Sequence, residues 1–269
     1  MSQRYVSVIT QQLRRNRKTI FAWAIIWTLV GLLFSYVFKT MSSEASESAR
    51  IYQSLPPAVL KTFNISNDYL SKPEKFLSGQ FLSIYLLSGS IMAVMAGAHA
   101  IGGRIADRTL FNFLTKRLPR PMFYLLQATA LILTQLALNI VAGIAMFATF
   151  TLLSGADPDV KYFLSLFAGS TAVFVMFGMF GLLAGLFLEK GRAAATGSAL
   201  AVISFFLNGL GSLDGVPSWV QKCSVYYYLN PEHLRDAYAL DARIFVLAAL
   251  AVIFLTAGTF VFRKKDIYL

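Results

Sequence analysis

This sequence is short of charge in the places where a soluble protein would carry it. Only 14% of its residues are charged while 57% are hydrophobic. Six stretches, 20–38, 80–101, 121–153, 162–188, 193–211 and 244–262, hold a single titratable Asp, Glu, His, Lys or Arg among them, His99. A soluble helix of that length turns a charged face to water. Hydrocarbon rewards the opposite pattern, because about 20 apolar residues cover its thickness. The expected fold is therefore all-α and polytopic, with six transmembrane helices.

Other shortages exclude whole classes of function. Cys223 stands alone, which removes an internal disulfide and any cysteine-based metal cluster. No connecting segment exceeds the 41 residues of 39–79, too few for an independent catalytic domain. No G-x-x-x-x-G-K-[ST] phosphate loop occurs, so any ATPase belongs to another chain. The stretches hold no Ser/His/Asp set, H-E-x-x-H motif or carboxylate pair, which argues against an intramembrane enzyme. No catalytic, cofactor-binding or metal-binding residue is expected in this chain.

Basic residues are unevenly placed. Segments 1–19, 102–120, 189–192 and 263–269 hold 15 of the 24 Lys and Arg, and the other connecting segments hold 10 of the 13 Asp and Glu. Basic residues mark the cytoplasmic side, so both termini are expected there. The net charge of +11 then reads as an insertion signal facing the lipid bilayer, with no nucleic acid implied. A cleavable signal peptide is the competing reading of the first 40 residues. The apolar run Ile20–Phe38 is longer than the roughly 7–15 residues of a signal core, and bulky residues follow it, so it is read as a true span.

The whole chain, 1–269, reads as one transmembrane domain in which short amphipathic pieces decorate the spans. Residues 1–19 are expected to hold a helix on the inner leaflet, with Val6, Ile9 and Leu13 opposite Arg4, Gln11, Arg14, Arg15 and Lys18. Trp23 and Trp27 fall near the inner interface, where amphipathic rings settle. Segment 39–79 is the largest extracytoplasmic loop. The third stretch is long enough, at about 1.5 Å per residue, to overrun the bilayer, so it tilts, kinks or starts below it. Gly181, Gly185, Ala193 and Gly197 carry the small-xxx-small spacing of close helix packing. Segment 212–243, with Trp219, Tyr226, Tyr227 and Tyr228, reads as short extracytoplasmic helices at the outer surface, with Asn230 as N-cap, Pro231 at the first helical position and Glu232 in the first turn.

The sharpest motif is 102–120, GGRIADRTLFNFLTKRLPR. As a helix it gathers Leu110, Phe111, Leu114 and Leu118 within about 100° of arc, with Arg108, Asn112 and Thr115 opposite. An amphipathic cytoplasmic helix fixed between two spans acts as a lever on both. The segment resembles the coupling-helix region of type-2 permeases of ATP-binding-cassette (ABC) transporters. Asp107 matches that family's acidic position, Thr109 its threonine, Leu110 and Leu114 its leucine pattern, and Arg120 its closing arginine. Arg108 departs from the usual glycine, and proline stands at Pro119 instead of two residues earlier, at Arg117. Val225–Pro231 resembles the family's aromatic-then-proline stretch, and Phe262–Asp266 its basic ending with aspartate.

The resemblance implies a six-helix half-transporter in the plasma membrane of a bacterial cell, paired with a second permease subunit, identical or homologous. Two ATPase subunits would dock beneath the pair and bind the ATP and Mg themselves. Coupling to them would fall to Asp107, Arg108, Thr109, Leu110, Phe111, Leu114 and Arg120. The expected function is ATP-driven export, with no substrate indicated. Gln127, Gln135 and Asn139 lie within about 120° on the third span, either hydrogen-bonding between helices or lining a substrate route. His99, with no carboxylate or second histidine beside it in sequence, is read as packing. Two alternatives stand beside the exporter. An ion-coupled carrier should show intramembrane Asp, Glu or Arg and usually internal repeats, neither of which is evident. A non-transporting membrane scaffold is the other.

Overall fold

The computed structural model describes residues 2–43, 56, 72–107, 119–155, 157–213 and 215–264. Every regular element among them is helical. The long helices are α1 (Ser2–Ser43), α2 (73–106), α3 (Arg120–Ser154), α4 (Val160–Phe187), α5 (Lys190–Gly211) and α8 (Ile244–Lys264). Between α5 and α8 lie the short α6 (Ser218–Lys222), a 3₁₀ turn (Tyr226–Leu229) and α7 (Pro231–Ala237). The six long helices have the length and composition to cross a membrane, and the protein is an all-α polytopic membrane protein.

Local chemistry sets the boundaries. Pro73 opens α2 and Pro121 sits in the first turn of α3, where a missing N–H costs nothing. The Asp159 carboxylate caps α4 by accepting from the amides of Lys161 at 2.7 Å and Tyr162 at 3.2 Å. Gly155 ends α3 at φ +67, a left-handed conformation that costs glycine little. Asn230 caps α7 through its side-chain oxygen, which accepts from the His233 amide at 3.4 Å. Two π-helical turns interrupt α2, at Leu77–Phe81 and His99–Gly103, and a third, Phe150–Ser154, closes α3.

Burial orders the bundle. In the most apolar window of α4, 67% of residues are buried, against 17% in α1 and in α8, so α4 is the axis and those two are peripheral. α4 packs against α2, α3, α5 and α8, while α1 lies along α3. The outward faces are apolar, with Phe21, Leu29, Ile144, Leu164, Phe206 and Phe245 all exposed. Water would penalise such a surface; acyl chains match it.

The α2–α4 contact is the tightest. A Cβ on Gly97 would collide with the Gly178 carbonyl oxygen, and one on Gly181 with that of Val94. Gly185 faces Ala98, and Gly197 brings α5 onto Val94. The small-residue spacing thus serves backbone-to-backbone approach, as lipid-embedded helices require. Around this seam, Tyr85 on α2 is the aromatic hub, with ring centroids 4.6 Å from Trp27 and 5.4 Å from both Phe167 and Phe174.

The helix expected over the N-terminal segment is continuous with the first span in α1. Two aromatic placements need revision. Trp27 is buried against Phe81 and Tyr85, and Trp23 stacks on it at 6.0 Å, so the pair packs onto protein. Tyr226 likewise turns inward, onto Phe177 and Phe205, leaving Trp219 as the exposed ring of that segment. For Trp27 and Tyr226, aromatic packing inside the bundle takes up the ring.

Candidate functional site

The ends of α2, α3, α5 and α8 that carry Arg104, Arg120, Lys190 with Arg192, and Arg263 with Lys264 form the basic end of the bundle. α2 stops at Asp107, whose amide still reaches the Gly103 carbonyl at 2.9 Å. Its carboxylate lies 3.9 Å from Lys190 Nζ, at the start of α5. Both side chains are about half exposed, so this ion pair contributes little to stability. Its value is positional, because it ties the last residue of α2 to the tight turn between α4 and α5. Beside it opens a cleft of about 600 Å³, lined by Gly102, Ile105 and Ala106 on one side and residues 185–191 on the other.

One turn before Asp107, Arg104 is buried at 3% exposure. Its Nη2 donates to Gln12 Oε1 at 2.8 Å, and its guanidinium lies 5.6 Å from the Phe123 ring centroid. A buried cation persists only where hydrogen bonds and a polarisable neighbour replace water. Arg104 therefore binds α1, α2 and α3 together at the basic end. Farther along, Asn16 Nδ2 reaches Thr134 Oγ1 at 3.4 Å, a direct polar tie between α1 and α3.

Of the residues selected from sequence for coupling, Asp107 ends α2 and Arg120 opens α3. Arg108, Thr109, Leu110, Phe111 and Leu114 lie outside the described residues. The polar trio of α3 is fully inside the protein, with Gln127 and Gln135 at 0% exposure and Asn139 at 2%. Asn139 Oδ1 accepts from Tyr85 Oη at 2.6 Å, and its Nδ2 donates to the Gln135 carbonyl at 3.0 Å. The side-chain amides of Gln127 and Gln135 have no hydrogen-bond partner among the described residues. Leaving such groups unmade costs about 1–3 kcal/mol each. The stripe accordingly divides: Asn139 is a helix–helix tie, while the two glutamines keep donors and acceptors to spare.

At the opposite, aromatic end, Glu74 is buried at 3% exposure and accepts from the Asp159 amide at 2.6 Å, joining the starts of α2 and α4. Asp241 accepts from the Asn230 side chain and from the Arg243 amide, and these hydrogen bonds hold its carboxyl below the usual carboxylate range. His99 is half-buried in the second π turn of α2. Among the described residues no group of three or more His, Cys, Asp or Glu converges as a metal site would require.

Sequence reasoning missed Arg104 with Gln12, Tyr85 with Asn139, and Glu74 with Asp159. Each pair joins residues 92, 54 and 85 positions apart, respectively. Arg104 and Gln12 each sit in segments whose polarity reads equally well as a water-facing surface. No curated protein matches the chain. Residues 7–263 match the family model described as "Multidrug efflux system permease Rv1217c, C-terminal domain". That match takes in nearly the whole bundle, from the first turns of α1 to the end of α8, and the chain therefore belongs to this family of multidrug efflux permeases.

Proposed function

We propose that this chain is the membrane-spanning subunit of an ATP-driven ABC exporter of the type-2 class. It works with a second permease subunit, identical or homologous, and with two separate ATPase subunits that bind ATP and Mg and dock at the basic end. The observation that carries this reading is the construction of that end. Residues 104–118 begin at a buried arginine that clamps α1 and α3, and pass through Asp107, which is tied to the α4–α5 turn. A push on this segment is delivered to α1, α2, α3 and α5 at once.

The α2–α4 seam transmits that push instead of absorbing it. Backbones in direct contact at Gly97 and Gly181 leave no compressible side-chain layer between them. Movement of α2 therefore moves the axis of the bundle. Gln127 and Gln135, with unused hydrogen-bonding capacity on α3, are the groups that such a movement would expose to a passing substrate or to water. The work comes from ATP in the partner subunits, so a permease of this kind needs no intramembrane carboxylate relay.

Reconstitution tests the reading. The chain, purified with its ATPase and placed in liposomes, should export substrate only when ATP is supplied. The Asp107→Ala variant should still bind the ATPase and hydrolyse ATP while transport drops. Transport that ignores ATP, or an Asp107→Ala variant with normal coupling, would count against it.

A further inference from the structure

We infer that a small pocket at the aromatic end binds a protonated organic amine. The pocket has a volume of about 120 Å³ and lies where the start of α2, the end of α5 and the short helices of segment 212–243 meet. A cavity of about 150 Å³ takes up benzene, so the pocket is on the scale of one small ring. It takes an ammonium head group with a small ring or chain.

Its polar lining sets acceptors beside the donors of Gln221, Arg243 and the Tyr226 hydroxyl. Ser78, Ser83 and Ser212 each donate their hydroxyl proton to a backbone carbonyl of their own helix, those of Lys75, Gly79 and Gly209. What these three serines offer to the pocket is lone pairs. Asn208 adds a side-chain oxygen that is buried and has no hydrogen-bond partner. Glu232, in the first turn of α7, adds a carboxylate that no ion pair engages among the described residues.

The cation already present is committed elsewhere. Arg243 lies 3.3 Å from the Asp241 carboxylate and 4.6 Å from the Tyr227 ring centroid. It lines the pocket but forms no ion pair with Glu232 among the described residues. Phe205 and Tyr226 supply aromatic walls, and such rings attract an ammonium ion through their faces. Acceptors, one free carboxylate and aromatic surface together select a hydrogen-bond-donating cation. An anion would meet Glu232 and a set of lone pairs. A neutral alcohol would forgo the charge.

The site gives the permease reading a substrate class and rests on it only for transport; binding is tested separately. The purified chain, in detergent or nanodiscs, is titrated with benzylammonium, benzyl alcohol and benzoate, which share a ring and differ in charge. Benzylammonium should bind most tightly. Glu232→Gln should weaken it about tenfold, the scale of one charge-assisted hydrogen bond, without changing the affinity for benzyl alcohol. Asn208→Leu should weaken it further, and helical circular dichroism checks that both variants fold.

Equal affinity for the alcohol and the amine, preference for benzoate, or indifference to Glu232→Gln would overturn the assignment. Amine binding without ATP-driven export would remove the exporter reading and keep the site. ATP-driven export without amine binding would do the reverse.

Discussion

Tyr85 on α2 donates its hydroxyl to Asn139 on α3 at 2.6 Å, with both side chains buried. In hydrocarbon neither group has water to fall back on, so the bond helps fix the register of the two helices. Tyr85→Phe should lower the thermal midpoint measured in detergent by an amount equivalent to about 0.5–2 kcal/mol. Pairing it with Asn139→Leu should recover part of that loss, because both polar partners are then gone. A double variant as damaged as the sum of the singles would show that the bond contributes nothing.

Gly181 abuts the Val94 carbonyl across the α2–α4 seam. Gly181→Leu should abolish a monodisperse folded population on size-exclusion chromatography, since the obstacle is backbone and cannot rotate away. Gly191, whose added Cβ would meet nothing within 4 Å, supplies the control. Gly191→Ala should be neutral or stabilising by up to about 1 kcal/mol, the helix-propensity difference. Similar behaviour of the two variants would remove the seam as the rigid element.

Asp107 and Lys190 form an exposed ion pair at the basic end. Either Asp107→Lys or Lys190→Asp alone should leave the thermal midpoint nearly unchanged, within about 1 kcal/mol. The same variants should reduce ATP-driven transport, and the exchanged pair should restore part of it. Failure of the exchange to restore anything would assign Asp107 a direct contact with a partner instead of this one.

The depressed Asp241 carboxyl sets an acid limit on the aromatic end. Its anchoring of Asn230 and Arg243 is fully present above the ordinary Asp value of about 3.9. It is lost as pH falls through the lower value of the folded state. Because Arg243 lies over Tyr227, tyrosine emission should change below about pH 4 in the wild type. Asp241→Asn should abolish that transition. An unchanged transition in the variant would place its origin elsewhere.

The existence and order of the spans were legible from charge depletion alone, because a membrane segment cannot hide a polar face. Caps were legible too: Asn230 with Pro231 and Glu232 is a local signal, and local signals survive tertiary packing. Pairings across the bundle were not. Gln12 and Arg104 each match a solvated amphipathic surface, and only the fold brings them together. Aromatic placement failed for a related reason. Trp27 and Tyr226 have the composition of interface residues, but Tyr85, Phe177 and Phe205 offer them buried partners that sequence spacing does not reveal. For the glutamines of α3, sequence showed a shared face but could not say that Asn139 finds a donor in Tyr85 while Gln127 and Gln135 find none.

The central claim is that the basic end faces the compartment holding the ATPase, and side-specific cysteine labelling tests it most directly. Cys223, native, exposed and at the aromatic end, should react with a membrane-impermeant maleimide in intact cells. With Cys223→Ser as background, Ala106→Cys, exposed beside the basic cleft, should react only in inside-out vesicles and be protected by added ATPase. Labelling of Ala106→Cys from outside intact cells, or reaction undiminished by the ATPase, would contradict the account.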